Sequence, residues 1–304
     1  MRARHLVLAG IVALVAIASA CKPDFGDRES LVGEPRVLAV VADPPEVKPG
    51  TTPVTFRVLV ASADGTTVAA PQAFAFCATP KLLTENGPVS AECLGAGVRP
   101  FDGTAAAVPA DACFLFGPET PPGGYRPRDA DVTGGYYQPV RATIAPGGSA
   151  PFVAFGFERI LCNLASAPSD AAKAMADGYH PNLNPELLPL EARTDAGPVA
   201  LDAIARGARV VLRASWPAAS AESYLAFDVP SQSVVTRREG LRVSWFASAG
   251  AFDSDVTGRR EDETDTFTEN PWTAPSDATT VHLWRVLRDA RGGATWAEDT
   301  LVVR

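Results

Sequence analysis

Histidine is the side chain that most often transfers protons at neutral pH, and this sequence holds few of them. Of its 304 residues three are histidines, and His180 and His282 are the two that lie beyond the first five residues. His282 falls in an alternating apolar run and is expected to be an ordinary strand residue, while His180 lies in a Pro-rich connector. No His-x-x-x-His pair, Gly-x-Ser-x-Gly elbow, phosphate-binding loop or dinucleotide fingerprint occurs. The sequence therefore predicts no catalytic site, no metal site and no cofactor, and it also disfavours a dispersed Ser–His–Asp triad.

The cysteines are expected to form structural disulfides and not a catalytic or metal-binding site. The sequence holds five of them, Cys21, Cys77, Cys93, Cys113 and Cys162, and no Cys-x-x-Cys spacing, which argues against a thiol catalyst or a zinc site. An odd number in an exported protein requires an explanation, and lipidation of Cys21 would leave four for two disulfides. Three pairings are possible. Cys77–Cys93 with Cys113–Cys162 is slightly preferred, and Cys77–Cys162 with Cys93–Cys113 is the main alternative.

Carboxylates cluster between residues 253 and 265, where calcium would find the oxygen ligands that it prefers. They are Asp253, Asp255, Glu261, Asp262, Glu263 and Asp265. The spacing is not that of an EF-hand loop, and two arginines, Arg259 and Arg260, lie inside the cluster. A solvated charged loop is therefore the favoured interpretation, with calcium binding as the alternative.

The most unusual stretch lies between residues 123 and 138, where paired glycines alternate with tyrosines and arginines. Tyrosine and arginine are typical of binding surfaces, and flat aromatic rings stack on sugars. Arg126, Tyr136 and Tyr137 are therefore the candidate binding residues. The favoured alternative is that the tyrosines pack a long loop onto the protein while the glycines turn the chain.

The N-terminus has the features of an export signal. Basic residues at the start precede an apolar stretch over residues 6–17, which is too short for a bilayer span of about 20 residues. The ending Ala18-Ser19-Ala20-Cys21 resembles the bacterial lipobox, although Ala18 stands where that motif usually has Leu. We therefore expect acylation of Cys21, and Lys22 in place of Asp favours the outer membrane. Ordinary signal-peptidase cleavage, which would leave a soluble chain, is the alternative.

The charge balance argues against a nucleic-acid partner. The formal net charge is −8 and the pI is about 5.0. Loss of Arg2 and Arg4 with a signal peptide would leave 25 basic residues, of the 27 in the chain, against 35 acidic ones. Nucleic-acid binding requires clustered Lys and Arg that displace counterions. The expected partners are the membrane, through a lipid on Cys21, and an envelope protein or polysaccharide.

Alternation of apolar and polar residues predicts a mainly β protein. The first half has apolar runs over residues 36–42, 54–61, 73–77 and 152–162, and residues 79–150 are expected to include long ordered loops. The second half has runs over residues 209–216, 241–246, 279–288 and 295–303. Trp245 shares a strand face with Leu241 and Val243 and is expected at the centre of a core. One helix is predicted over residues 169–177, with Ser169 as its cap.

Several of these segments resemble bacterial immunoglobulin-like modules. They are residues 241–248 around Trp245, residues 272–275, residues 286–289 followed by two glycines, and the opening residues 36–40 with the prolines that follow. Together with the lipobox, this layout resembles lipoproteins that are common in myxobacteria. The resemblance covers residues 1–60 and 200–304. It implies two Ig-like β-sandwich domains in tandem with one short connecting helix, and it implies no chemistry.

The sequence therefore predicts a lipoprotein signal peptide over residues 1–20, a tether over 21–35, an N-terminal β-sandwich with disulfide-stapled loops over 36–165, a helix and connector over 166–185, and a C-terminal Ig-like β-sandwich over 186–304. The last segment lacks cysteine and is expected to fold alone. The expected protein is a lipid-anchored, non-enzymatic envelope protein that presents a binding or assembly surface. A purely structural subunit of an envelope complex and a glycan hydrolase with a carboxylate pair are the alternatives.

Overall fold

The structure, a computed structural model, describes residues 29–66, 72–82, 84–118, 135–145, 151–164 and 167–304. It is mainly β, as the alternating apolar runs predict, and its sheets pack as β-sandwiches. The expected signal peptide, Cys21 and Arg126 lie outside the described residues. Within the described ranges, no helix is long and apolar enough to cross a membrane.

The first part of the chain forms one sandwich, which we call the N-terminal sandwich. Its strands are β1 (Arg36–Asp43), β2 (Glu46–Val47), β3 (Pro53–Ser62), β4 (Gly65–Thr66), β5 (Gln72–Cys77), β6 (Val98–Phe101), β7 (Ala105–Ala107), β8 (Tyr136–Ile144) and β9 (Phe152–Ile160). One sheet places β3 between β1 and the short strands β4 and β7. The other has the order β2-β9-β8-β5-β6, in which β2 runs parallel to β9.

The inner faces of these two sheets enclose an aromatic core. The ring of Phe56 on β3 lies 5.8 Å, between centroids, from the rings of Phe74, Phe76 and Phe101 on the opposite sheet. Burial of apolar area of this kind is the main favourable term in folding. The short helix α1 (Ala112–Leu115) and a single 3₁₀ turn (Ala91–Leu94) lie in the segment between β5 and β8, each next to a disulfide.

The remainder of the chain forms the C-terminal sandwich. Its strands are β10 (Glu191–Thr194), β11 (Gly197–Pro198), β12 (Arg209–Ser215), β15 (Leu241–Ala247), β16 (Ala251–Phe252), β17 (Val256–Arg259), β18 (Phe267–Thr273), β19 (Thr279–Arg288) and β20 (Ala294–Val303). The two sheets have the orders β11-β10-β12-β18-β16 and β17-β15-β19-β20. Between β12 and β15, a 3₁₀ turn (Ala218–Ser220) leads into a hairpin of β13 (Ser223–Asp228) and β14 (Ser233–Arg238), and helix α2 (Ser169–Gly178) lies against that hairpin.

The core of the C-terminal sandwich is built from tryptophans. Trp216, Trp245 and Trp272 are all fully buried, and the ring of Trp245 lies 5.9 Å from that of Phe252. The alternation of β15 places Leu241, Val243 and Trp245 inward, as predicted. The indole nitrogen of Trp245 donates to Thr257 Oγ1 at 2.8 Å, which satisfies its one polar atom.

The structure differs from the predictions at two points. The described part of the stretch over residues 79–150 also contains three strands that were not predicted, β6, β7 and β8, and β8 is a central strand between β5 and β9. Tyr136 and Tyr137 open this strand. Its apolar face alternates through Val140, Ala142 and Ile144, but Gln138 and Pro139 interrupt the pattern at its start. In addition, Ser169 was expected to cap helix α2. Instead the helix begins at Ser169, its N-cap is Pro168, and no side chain makes a capping hydrogen bond.

The two sandwiches share an apolar seam. The outer faces of β1 and β3 pack against those of β15, β19 and β20, and the seam consists of Val32, Leu38, Ala39, Val41, Leu59, Ala61, Trp284, Val286 and Ala294, with Phe246 and Trp296 at its margin. The indole nitrogen of Trp284 donates across the seam to Thr66 Oγ1 at 2.8 Å, and Arg288 Nη2 donates to the carbonyl of Leu38 at 3.0 Å. The two sandwiches are thus in direct contact.

Part of the expected tether belongs to this folded body. Ser30 and Val32 are buried, and Leu31 forms a parallel bridge with Ala247 on β15. The amide of Val32 donates to the carbonyl of Ala247 at 2.9 Å. The tether was predicted to reach residue 35, but residues 30–32 belong to the folded body, because Val32 packs in the seam.

Candidate functional site

A cluster of buried charged side chains lies next to the seam, around Arg291. This arginine lies in the turn between β19 and β20, and its side chain is 1% exposed. Its Nε donates to Glu239 Oε1 at 2.7 Å and its Nη2 donates to Glu222 Oε2 at 2.8 Å. Its Nη1 donates to the carbonyl of His180 at 3.1 Å. Arg291 thus binds the hairpin region and the connector at the same time.

A second arginine holds the N-terminal side of the cluster. Arg159 on β9 donates from Nε to Glu46 Oε1 on β2 at 2.9 Å, and both side chains are almost fully buried. Tyr179 donates its hydroxyl to Glu46, and the amide of Asn182 donates to Glu46 Oε2, each at 2.7 Å. Arg291 Nη1 also lies 3.7 Å from Glu46 Oε2, which connects the two arginine centres.

Asp289 completes the cluster by closing the turn that carries Arg291. Its Oδ1 accepts from the backbone amides of Arg291 and Gly293, both at 2.8 Å. Its Oδ2 accepts from Asn182 Nδ2 in the connector at 3.0 Å. We call Glu46, Arg159, Tyr179, Asn182, Glu222, Glu239, Asp289 and Arg291 the ionic junction.

Aromatic rings enclose the two guanidinium groups. The guanidinium carbon of Arg291 lies 4.6 Å from the ring centre of Tyr224 and 5.8 Å from that of Tyr179. Arg159 lies 5.7 Å from the ring centre of Tyr137 and donates to its hydroxyl at 3.1 Å. Such cation–π contacts strengthen when water is excluded. The junction is therefore a packed polar core and not an open cleft.

The junction contains more acid than base. Among the described residues that form it, four carboxylates, Glu46, Glu222, Glu239 and Asp289, face two arginines. Burial and the charge of Asp289 raise the pKa of Glu239 to about 7. Burial also raises the pKa of Asp289 to about 6, against the hydrogen bond from Asn182. Like charges that share a dry site favour protonation in this way.

A further buried acid lies on the other side of β9. Glu158 is fully buried, and in the described structure neither of its carboxylate oxygens has a hydrogen-bond partner. Burial, assisted by the charge of Glu46, raises the pKa of Glu158 to about 9. Its cross-strand neighbour Gln138 also has an unpartnered buried oxygen, Oε1. Glu158 is therefore a neutral acid at physiological pH.

The tyrosines proposed as binding residues are used in packing. Tyr136 is half-buried and packs against the core of the N-terminal sandwich. Tyr137 is half-buried as well and contacts Arg159, as above. A Cβ at Gly292 would come within 3.1 Å of the Tyr137 ring, so the Arg291 turn lies directly over this tyrosine. The placement of both tyrosines fits the alternative in which they pack against the protein. Arg126 lies outside the described residues.

The four cysteines form two disulfides, in the preferred pairing. Cys77 is bonded to Cys93 and Cys113 to Cys162. The first bond fixes the 3₁₀ turn to β5, and the second fixes α1 to the end of β9. Disulfides of this kind persist in oxidising compartments. They indicate an extracellular or periplasmic protein.

The acidic residues between 253 and 265 and the two histidines do not come together in one site. In the acidic stretch, Asp253 pairs with Arg209, Asp265 pairs with Arg259, and Arg260 is shared by Asp262 and Glu263. No group of three or more His, Cys, Asp or Glu side chains suited to a metal ion is found in the described ranges. His282 stacks on Trp284 and its Nδ1 lies 3.2 Å from Glu298 Oε1. His180 takes part in the junction through its carbonyl.

Two surface features stand out. A shallow groove of about 490 Å³ is lined by Ala251, Phe252, Asp253, Asp255 and Thr273 at an edge of the C-terminal sandwich. On the outer face of β9, Val153 and Phe157 are each 40% exposed. These two apolar side chains lie on the same side of one strand, since alternate strand residues share a face.

The junction residues were missed because they come from widely separated positions, and no local spacing connects them. One signal was available for part of the site. Glu158 and Arg159 are adjacent charged residues near the end of an otherwise apolar strand, a position where charge is costly unless it is paired or neutralised. Residues 286–289 and the two glycines after them were singled out for their resemblance to immunoglobulin-like modules, but Arg291 was not.

No protein-family model matches this chain, and no curated protein matches it. Among solved structures, the adhesin InvE of Yersinia pseudotuberculosis is similar, with 10% sequence identity and a TM-score of 0.24. The match covers 86% of this chain and 58% of that chain, so this protein spans less than two thirds of the adhesin structure. We draw no functional conclusion from a likeness at this level.

Proposed function

We propose that the protein is a lipid-anchored, non-enzymatic envelope protein whose two Ig-like sandwiches present a binding or assembly surface to a protein or polysaccharide partner. The observation that carries the proposal is the joint between the sandwiches. The acids and arginines of the ionic junction form ion pairs with one another inside that joint, and aromatic rings enclose the two guanidinium groups. Such an arrangement supports a scaffold more directly than a catalytic cleft.

The strand order supports Ig-like modules. In the N-terminal sandwich, β1, β3 and β7 share one sheet while β5, β8 and β9 share the other. In the C-terminal sandwich, β10, β12 and β18 share one sheet while β15, β19 and β20 share the other. This division corresponds to the A-B-E and C-F-G sets of the immunoglobulin sandwich. Modules of this kind commonly serve as scaffolds, and their function depends on the surface that they carry.

The outer face of β9 is the surface that we assign to the partner. Val153 and Phe157 are exposed there, whereas the outer sheet faces of the seam are covered. Exposed apolar side chains that share a strand face favour contact with another macromolecule. The structural-subunit alternative would use the same face, since stable assembly also requires buried apolar area.

The anchor is tested by replacing Cys21 with Ser. We expect the variant to leave the membrane fraction or to remain unprocessed, because two or more acyl chains give stable anchoring. Processed Cys21→Ser protein that still cofractionates with membranes would contradict the lipid anchor. This experiment does not depend on the identity of the partner.

The surface is tested by affinity capture from crosslinked, solubilised membranes. The double variant Val153→Asp and Phe157→Asp should lose the captured partner while keeping its melting temperature. Val256→Asp, which alters an exposed apolar residue of the C-terminal sandwich, is the matched control and should keep the partner. Equal capture by both variants would exclude the β9 face.

A further inference from the structure

We propose that the ionic junction is a proton-dependent clamp: a proton held by the Glu239–Asp289 pair keeps the two sandwiches closed on each other, and its loss at higher pH loosens the seam. The proposal stands on three observations. They are the excess of carboxylates in the junction, the burial that closure imposes on those carboxylates, and the hydrogen bonds that cross from one sandwich to the other.

The first observation concerns charge. Glu239 and Asp289 both contact Arg291, through its Nε and its backbone amide respectively. Arg291 is shared with Glu222 and lies near Glu46, and Arg159 is already engaged with Glu46. One guanidinium therefore serves three acids. A buried charge without its own counter-charge is costly, and one proton on the pair lowers the excess of negative charge in the junction from two to one.

The second observation concerns what closure buries. Glu239 and Asp289 belong to the C-terminal sandwich. Asn182 of the connector donates to Asp289 and, through its amide, to Glu46 of the N-terminal sandwich, and the turn of Asp289 lies over Tyr137 on β8. Separation of the sandwiches uncovers this turn and returns water to Asp289 and to Glu239, which is bonded to Arg291 of the same turn. Closure therefore favours the protonated form of the pair.

Among the described residues, both acids and bases face the pair. They are Glu46 on β2, Arg159 on β9, Tyr179 after α2, Glu222 before β13, Tyr224 on β13, and Arg291 in the same turn as Asp289. Arg237 on β14 lies behind Tyr224 and pairs with Asp228 at 3.8 Å. Glu158 lies on the inner side of β9 and is not part of the seam.

The junction and the seam are continuous through β19 and β20. The turn of Arg291 connects these strands, and Arg288, at the end of β19, donates to the carbonyl of Leu38 on β1. Asn184 in the connector donates to the carbonyl of Ala42 at 2.8 Å and accepts from the amide of Ala294 at 2.9 Å. A looser junction therefore allows the seam to open.

The sign and size of the effect follow from linkage. An acid whose pKa is higher in the closed form binds its proton more tightly there, so closure is favoured at low pH and weakens as pH rises through that pKa. The window runs from the ordinary range of a carboxyl to about 7, the pKa of Glu239. Each pH unit in the window changes the equilibrium at most tenfold, so we expect the open fraction to rise roughly hundredfold between pH 5 and pH 8.

Two indole N–H groups provide the measurement. The indole of Trp284 donates across the seam to Thr66, whereas that of Trp245 donates to Thr257 within the C-terminal sandwich. Hydrogen exchange of both, followed by NMR on the full chain, separates seam opening from unfolding, because unfolding exposes both groups equally. All samples carry His282→Gln, since the ring of His282 stacks on the Trp284 ring that is measured and its removal leaves the junction unchanged.

We expect the protection of Trp284, relative to Trp245, to fall about hundredfold from pH 5 to pH 8. Glu239→Gln has the shape and charge of the protonated acid, and the fall should shrink to a few fold. Asp289→Asn serves the same purpose if the first variant does not fold. Glu158→Gln is the matched control, because it removes a buried acid outside the seam, and it should keep the full response.

Either of two results would overturn the proposal. One is a ratio of the two protection factors that stays constant between pH 5 and pH 8 in the His282→Gln background. The other is a Glu239→Gln or Asp289→Asn protein with an unchanged hundredfold response. If Glu158→Gln lost the pH response of Trp284 protection to the same extent, the responsible acid would lie in the core of the N-terminal sandwich. That result would also contradict the clamp.

Discussion

Single residues in this protein are held in unusual protonation states by burial. Glu158 shows the principle best, because no basic side chain among the described residues is paired with it. A neutral Glu158 carries a hydroxyl donor, and its cross-strand neighbour Gln138 has an unpartnered buried acceptor, Oε1, in the described structure. A charged Glu158 would instead leave an unpaired carboxylate in an apolar core, which costs several kcal/mol.

The first prediction concerns Glu158→Gln. The wild-type carboxyl has its pKa raised to about 9, so it binds its proton more tightly when folded, and stability should fall as pH rises from about 4.5 to 9. The change is at most about 1.4 kcal/mol per pH unit. The glutamine variant should lack this part of the pH dependence. Urea unfolding at pH 5 and pH 8.5 tests it, and identical slopes for both proteins would contradict it.

The second prediction concerns Trp245. This side chain is fully buried and shares the core with Trp216 and Trp272, so Trp245→Ala should cost about 3–5 kcal/mol. Trp245→Phe keeps most of the apolar volume and should cost clearly less. Thermal melts of both variants provide the comparison. A Trp245→Ala melt within a degree or two of wild type would show that the residue is not a core residue.

At the scale of elements, sequence pattern predicted strands whose inner face is apolar, and it placed the ends of β12, β15 and β19 within a residue or two. In β19 the buried Arg285 interrupts the inner face, but Val281, Leu283 and Leu287 maintain the alternation. β8 was missed because Gln138 and Pro139 interrupt its start, although its later residues alternate well. The ionic junction could not be predicted in this way. Its members join only after both sandwiches have folded, and a charged residue carries no periodic signal of its own.

The third prediction compares the two disulfides as constraints on chain segments. Cys77 and Cys93 are 16 residues apart, and Cys113 and Cys162 are 49 apart. In the chain-entropy account, their removal should cost about 3 and about 4 kcal/mol respectively. Paired Cys→Ser variants, unfolded by urea, test the order. Loss of the first bond should also open the segment after β5 to proteolysis, because that bond fixes the 3₁₀ turn to the sheet. A larger loss from the shorter loop would contradict the entropic account.

At the scale of the whole molecule, the seam makes each sandwich depend on the other. A C-terminal sandwich on its own would expose Trp284, Val286 and Ala294, all of which are buried in the intact protein. An exposed apolar patch of this kind promotes association. The C-terminal half was expected to fold alone. To remain monomeric as well, it would need a partner that covers the apolar face of its outer sheet.

The fourth prediction follows for a fragment over residues 181–304. We expect it to fold without disulfides but to self-associate, or to unfold at a lower temperature than the intact chain. Adding a separate fragment over residues 29–180 should restore a one-to-one complex. Analytical ultracentrifugation distinguishes the cases. A monomeric fragment with the stability of the intact chain would show that the seam contributes nothing.

The position of residues 30–32 has a mechanical consequence. If Cys21 carries a lipid, as proposed, ten residues of chain separate the anchor from Leu31 and limit the distance between them to about 35 Å. A tensile load on the anchor then enters the molecule at Leu31 and Ala247, where the chain crosses onto β15, and not at the free end of the N-terminal sandwich. Both sandwiches would bear that load side by side, in parallel and not in series.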